Sequence, residues 1–375
     1  MKSRYELTIS TNYVPDWTYI EGIRELFQNA LDNEIKTPAN KMGFSYDNVT
    51  EVLRISNKTS ALEVDSLLLG SSTKTGDTDT IGQHGEGYKI AFMVLLREGK
   101  KIRVYNYGKR EVWEARLVKS KRYRGSLVPV ITIEKEVFWR QEPDNDLIIE
   151  VAGISNEEYD AIVKSNLNLQ ENVEHLDIDG MGKILLDKKE KGRVYVQGLY
   201  ICNKEELKYG YSFSPSIVKL DRDRRLLSAL DVAWETSLMW KRAYRNGVML
   251  EEIMDMIERN VTDVMYMASR VYTTDKDVDQ DIANSMAARF IAKNGKNCIP
   301  VASNEELNMI KNSSVKPVIV NRLVKGYLDK ADNIKIINVP KELSIHDEFQ
   351  LLLNDIEYKL TSDEEDRFKM LIDKL

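Results

Sequence analysis

The chain has 375 residues, 42% hydrophobic and 30% charged, with a net charge of -6. That is length for two or three domains, and a negative balance that excludes whole-surface attraction to nucleic acid. Two cysteines, Cys202 and Cys298, exclude a disulfide scaffold, and His84, His175 and His346 are too dispersed for a zinc site. No apolar run reaches the roughly 20 residues of a membrane helix, and the N-terminus lacks a signal-like apolar region, so the expectation is a cytoplasmic protein with no membrane partner.

In chain order, residues 1–10 alternate as a strand, and "PDWTYIEGIRELFQNALDNE" reads as a helix entered through Pro15 and Asp16. Strands follow at 50–56, 101–108, 111–118, 128–134 and 146–153, by β-branched and aromatic alternation. Between the first two lie a short apolar run, a polar Gly/Ser/Thr segment and an apolar helix beginning near Tyr88. This order predicts an α+β sandwich, a mostly antiparallel sheet with helices on one face. Residues 192–202 predict one strand bent at Gly198, and residues 220–244 a loop entering a helix. Residues 250–272 predict continued helix whose Met/Ile stripe belongs to the core. From about Asn297 strands and helices alternate as a small α/β unit, through "NIKIINVP", into a charged helical tail. The expected domains are 1–155, a second α/β domain at 156–230, a helical segment at 231–290, and a small α/β unit with helical tail at 291–375.

At about 100° per residue, Glu25, Asn29 and Asp32 of "ELFQNALDNE" fall on one narrow line, opposite Ile23, Phe27, Ala30 and Leu31. A solvated helix face is one reading. Such faces usually interleave Lys or Arg for pairing, yet no base occurs between Arg24 and Lys36. The other reading is chemical: a carboxylate can deprotonate water for attack on phosphate. An amide oxygen one turn later can join the octahedral shell of Mg2+.

That second reading needs a phosphate cradle, and "IGQHGEGYKIAF" supplies a candidate. Gly82, Gly85 and Gly87 precede an apolar helix, so backbone N–H groups and the positive helix end can face an anion. The spacing matches neither a Walker A loop nor a Rossmann fingerprint. Upstream, "GSSTKTGDTDT" is either a surface loop or a lid that brings Lys74 to the phosphates.

"ELFQNALDNE" resembles the N-box, and "IGQHGEGYKIAF" the glycine box, of the GHKL ATPases, which include gyrase, the large heat-shock chaperone, histidine kinases and MutL. "LLLGSSTK" followed by "IGQHGEGYKIAF" is most similar to the MORC and heat-shock-chaperone branches, and the matches cover about residues 5–153. The resemblance implies a Bergerat-type sandwich that binds ATP with Mg2+ and hydrolyses it slowly. It implies Glu25 as general base and Asn29 as Mg2+ ligand. Asp32 and Asn33 would position water, ribose or phosphate. Lys74 and the backbone of Gly82, Gln83, His84, Gly85, Glu86 and Gly87 would hold the phosphates. The family's Asp-x-Gly-x-Gly segment, whose Asp accepts from the adenine amino group, is missing. The corresponding stretch is "RISNKTSALEVDSLLLG", where Asn57 is the candidate and Ser56 the second choice. An asparagine amide also donates, so it discriminates adenine less cleanly than a carboxylate.

"VKLDRDRRLLSALD" is similar to the chaperone's middle-domain loop, which implies that Arg222, Arg224 or Arg225, with Arg224 favoured, reaches the γ-phosphate. A basic helix start balanced by Asp221 and Asp223 is the alternative. On the ATPase reading, ATP closes the lid, docks the second domain and favours a homodimer, with chaperone-like or MORC-like action on a protein client. A nucleotide sensor without turnover stays open. So does a DNA-associated MutL- or MORC-like clamp using the basic "KSKRYRG" at 119–125, nucleic acid being the less favoured partner. No phospho-acceptor segment of the histidine-kinase kind precedes the ATPase region, and type II topoisomerase activity would need further domains.

Overall fold

Helix α1 (Tyr19–Lys36) begins where Thr18 caps it, a few residues beyond Pro15 and Asp16. The Thr18 N–H donates to Glu21 Oε2 at 2.7 Å, and the Thr18 hydroxyl oxygen accepts from the Ile20 N–H at 3.3 Å. This capping box satisfies backbone donors that the first helical turn leaves open. The computed structural model describes residues 2–67, 87–135, 146–218, 229–269, 276–310, 316–332 and 368. They divide into two units, Met1–Tyr272 and Thr273–Leu375.

The first unit holds a seven-stranded sheet made of β1 (Lys2–Glu6), β2 (Met42–Asp47), β3 (Val52–Asn57), β4 (Lys101–Asn106), β5 (Glu111–Lys119), β6 (Leu127–Lys135) and β7 (Leu147–Ala152). Its order is β1-β6-β5-β4-β7-β3-β2, and every pairing is antiparallel. One face carries Leu53, Ile55, Ile102, Val104, Trp113, Ala115, Ile149 and Val151 into a single core with α1 and α2 (Gly87–Arg97). The other face is charged: Arg54 pairs with Glu150 and Arg103 with Glu114, each at 2.8 Å. The expected α+β sandwich, with a large antiparallel sheet and helices on one face, is therefore the fold. Strand β1 is shorter than residues 1–10 suggest, because the chain leaves the sheet after Glu6 and sends Leu7 and Ile9 into the core. Strand β2 was not expected: "MGFSYD" lacks alternation because no position along it is fully buried.

Helix α3 (Asn156–Lys164), capped by Ser155 and Glu158, leads to a five-stranded sheet. Its strands are β8 (His175–Ile178), β9 (Gly182–Leu185), β10 (Arg193–Val196), β11 (Leu199–Asn203) and β12 (Gly210–Phe213), in the order β11-β10-β12-β9-β8. The bent strand expected at 192–202 is a hairpin. Gln197 and Gly198 have φ values of 51° and 80°, the pair of left-handed residues that a two-residue type I′ turn demands. Helix α4 (Ala229–Arg245) and helix α5 (Leu250–Glu258) follow. The continuous helix expected over 250–272 stops at Glu258, where Asn260 turns left-handed at φ 54° and ends the hydrogen-bond ladder. Ile253, Met254, Met256 and Ile257 of its stripe are buried, as expected of core.

The second unit alternates α6 (Lys276–Asn294), β13 (Cys298–Val301), α7 (Asn304–Ile310), β14 (Lys316–Ile319) and α8 (Arg322–Leu328), with β13 and β14 parallel. "NIKIINVP" and the tail helix lie outside the described residues, apart from Phe368. Among the described residues no helix is long and apolar enough to cross a membrane.

Candidate functional site

The line on α1 is not a solvated face. Glu25 is 2% exposed and Asp32 is fully buried, while Asn29 and Asn33 are half-buried. Helix α2 produces this burial by crossing α1 at two glycines. A β-carbon on Gly22 would lie 2.8 Å from Leu95 Cγ, so only glycine admits the end of α2 here. At the other end, a β-carbon on Gly87 would lie 2.8 Å from the Asn29 amide nitrogen and 3.2 Å from Glu25 Oε2. The last glycine of "IGQHGEG" therefore begins its helix against the two side chains that the sequence singled out on α1.

The next two residues of α2 add groups the sequence reading missed. Burial, reinforced by the Asp32 charge, pushes the Tyr88 phenol well above its ordinary range. Lys89 is 2% exposed, a lysine inside an otherwise apolar helix. Nothing in the spacing of "GYKIAFMVLLR" distinguishes such a lysine from one that reaches solvent.

Arg24 Nη2 lies 3.7 Å from Glu25 Oε1, with both side chains nearly buried. The guanidinium sits 5.2 Å above the centre of the Trp17 ring, and its Nη1 donates to the Tyr200 carbonyl of β11 at 3.5 Å. A neighbouring cation offsets part of the cost of burying the Glu25 charge.

Asn33 is engaged on both sides. Its amide nitrogen donates to Ser60 Oγ at 2.8 Å, and its oxygen accepts from Asn40 Nδ2 at 3.0 Å. Through these bonds Asn33 holds the loops after α1 and after β3. Asn57, the last residue of β3, is 2% exposed, and its Nδ2 donates to the carbonyls of Ala30 and Asn40, each at 2.9 Å. Beside it, Asp146 accepts from Lys58 Nζ at 2.6 Å and from the Thr59 N–H at 3.2 Å, fixing the chain as it leaves β3. Ser56, the second choice at this position, is half-buried, and its residue pairs with Gly43 and Ile148 on the neighbouring strands.

Lys74, Gly82, Gln83, His84, Gly85 and Glu86 lie outside the described residues, as do Arg222, Arg224 and Arg225. Glu25, Asn29, Asp32 and Gly87 are thus brought together, with Asn33 and Asn57 on the flank towards β2 and β3. Among the described residues no group of three or more His, Cys, Asp or Glu side chains could hold a metal by itself. A Mg2+ ion takes only one or two protein ligands when phosphates and water complete its shell. The carboxylate and amide oxygens of Glu25, Asn29 and Asp32 are the hard donor class that it prefers. The space where a Gly87 side chain would stand adjoins one of them, Glu25 Oε2, together with the Asn29 amide nitrogen. The residues present fit the ion.

No family model and no curated protein sequence matches the chain. Among solved structures it is similar to the ATPase and transducer domains of DNA topoisomerase II from Balamuthia mandrillaris. The identity is 12% over 53% of this chain and 66% of that one, with a TM-score of 0.30. It is also similar to the ATPase region of Saccharomyces cerevisiae topoisomerase II, with 9% identity over 61% of this chain and 85% of that one and a TM-score of 0.28. The chain spans slightly less than two thirds of the length of the first.

Proposed function

We propose that the chain binds ATP with Mg2+ between α1, the start of α2 and the end of β3, and hydrolyses it slowly. The observation that carries this reading is the placement of Gly87 against Glu25 and Asn29. It joins the end of a glycine-rich segment, the only described part of a phosphate-cradle pattern, to a buried carboxylate and an amide. Glu25 accepts a proton from the attacking water as general base. Arg24 holds that carboxylate in place, and Asn29 offers its amide oxygen to the metal. When bound, Mg2+ supplies charge neutralisation at the phosphate oxygens. Asp32, fully buried beside the Tyr88 phenol, orders water and polar groups at the same wall, and Asn33 acts through the loops it ties together. Lys74, the backbone of residues 82–87 and Arg224 are proposed phosphate contacts on the sequence pattern alone. A nucleotide-dependent homodimer is part of the same proposal.

The test is Mg-ATP binding and phosphate release by wild type, Glu25→Ala and Asn29→Ala. Glu25→Ala should bind ATP and release no phosphate, and Asn29→Ala should lose Mg2+-dependent binding. Binding without turnover in the wild type would leave a nucleotide sensor in place of an ATPase. No binding of any adenine nucleotide by the wild type would end the proposal.

A further inference from the structure

Strand β2 ends the seven-stranded sheet, and among the described residues no strand pairs with its outer edge. One hydrogen bond fixes which backbone groups lie on that edge. The Lys58 N–H donates to the Lys41 carbonyl at 2.9 Å, and this pair continues the β2–β3 register. Hydrogen-bonded positions alternate along an antiparallel pair. Lys41, Gly43, Ser45 and Asp47 therefore turn their backbone groups to β3, while Met42, Phe44 and Tyr46 turn theirs outward. Glu34 Oε2 takes the Met42 N–H at 3.0 Å. The outward N–H and C=O groups of Phe44 and Tyr46 make no hydrogen bond among the described residues.

Edge strands usually carry devices against pairing: lysine, proline, a bulge or charges along the strand. The opposite edge of this sheet has them, since Lys2, Arg4 and Glu6 alternate along β1. Strand β2, "MGFSYD", has no lysine and no proline, and its register against β3 is unbroken. It is also held rigid. The Phe44 ring meets Phe27 edge-on at 5.6 Å, and the Tyr46 ring stacks on Tyr159 at 4.2 Å. The Tyr46 hydroxyl donates to the Ile154 carbonyl at 2.8 Å. An edge already fixed in extended form loses little freedom on taking another strand.

We propose that β2 pairs with β2 of a second copy of the chain, antiparallel about a two-fold axis at Ser45, so that two sheets join edge to edge. The outward groups of β2 are self-complementary in this register. Phe44 faces Tyr46 of the second copy, and each N–H meets the opposite C=O. Their rings form cross-strand aromatic pairs on the helix side. On the open side the exposed Ser45 faces its own counterpart, and Gly43 faces Asp47 of the second copy. No like charges stand opposite one another. Lys41, exposed and without an ion pair among the described residues, falls on the diagonal from Asp47 of the second copy. Symmetry makes that opposite-charge contact twice, within reach of a long side chain. The pairing needs no nucleotide, which separates it from the homodimer of the ATPase reading.

The experiment is sedimentation equilibrium of the full chain without nucleotide over a concentration series, for wild type, Ser45→Lys, Ser45→Glu and a mixture of the two variants. Wild type should dimerise. Ser45→Lys, which sets like charges against each other across the axis, should raise the dimer dissociation constant about fivefold, and the mixture should restore dimers. Ser45→Cys should cross-link under mild oxidation, because residues facing each other between hydrogen-bonded pairs lie about 4.5 Å apart at Cα, within disulfide range. Wild type, with only Cys202 and Cys298, gives the background. A wild type monomeric at every concentration would overturn the proposal and leave the edge to a strand of a different protein. So would a dimer that Ser45→Lys leaves unchanged, or a Ser45→Cys chain that cross-links no more than wild type. Because Ser45 is exposed, these variants should keep the wild-type circular dichroism.

Discussion

Gly87 stands against Asn29 so closely that a β-carbon on it would lie 2.8 Å from the asparagine amide. An alanine there should favour the helix intrinsically by up to about 1 kcal/mol relative to glycine, so any loss measures the clash. Gly87→Ala should therefore push the Asn29 amide and the Glu25 carboxylate from their positions and weaken Mg-ATP binding at least about tenfold, a cost of roughly 1.4 kcal/mol. The far-ultraviolet circular dichroism should stay that of a folded chain. Titration of the variant checks this, and wild-type affinity would show that the contact does not shape the site.

Arg97, the last residue of α2, fastens the loop that enters α1. Its Nη1 donates to the carbonyls of Thr11 at 3.0 Å and Tyr13 at 3.2 Å, and its Nη2 to those of Val14 at 3.2 Å and Trp17. A planar guanidinium can meet four carbonyls where an ammonium cannot. Arg97→Ala should cost about 2–3 kcal/mol in chemical denaturation, and Arg97→Lys should recover only part of it. A loss below about 0.5 kcal/mol, the range of ordinary surface substitutions, would mean that the loop is held otherwise.

Tyr211 predicts an alkaline limb of stability. Burial, then the Asp263 charge and the hydrogen bond its hydroxyl donates to Asp263, raise this phenol well above its ordinary value of 10.0. Below that value both folded and unfolded states keep the proton, and the contribution of the neutral phenol is intact. Above it the unfolded chain releases the proton first, so stability falls as the pH rises. Tyr211→Phe removes this limb but loses the bond to Asp263. The stability gap between wild type and variant should narrow above pH 10 by up to about 1.4 kcal/mol per pH unit. Denaturation midpoints from about pH 8 to about pH 11 check it; a constant gap would refute the assignment.

The legible parts of the fold were those with local causes. The alternation of β3, β4, β5 and β7 follows from having one face buried and one more open, which leaves a period of two in the residues themselves. Strand β6 differs, being buried on both faces from Val128 to Ile131. The line of Glu25, Asn29 and Asp32 follows from helical periodicity in the same way. Failures came where local and apolar signals disagree. Beyond Glu258 the residues Val261, Val264 and Met267 continue an apolar pattern, and Val264 and Met267 are buried, yet Asn260 has already left the helix. At Gln197 a residue without a strong turn preference adopts the left-handed conformation because Gly198 completes the hairpin and β10 and β11 reward it.

By itself the sequence determined the polar line on α1, the glycines before α2 and the asparagine at the end of β3, because each is a matter of residue type at a helical or strand spacing. Whether that line faces water or an interior was decided by α2, which approaches through Gly22 and Gly87 from more than fifty residues away in the chain. The orientation of the Asn57 amide was decided by two carbonyls, one on α1 and one on the loop beyond it. Spacing carries a side chain's chemistry, but its burial and the atom it presents depend on partners that only the folded chain brings together.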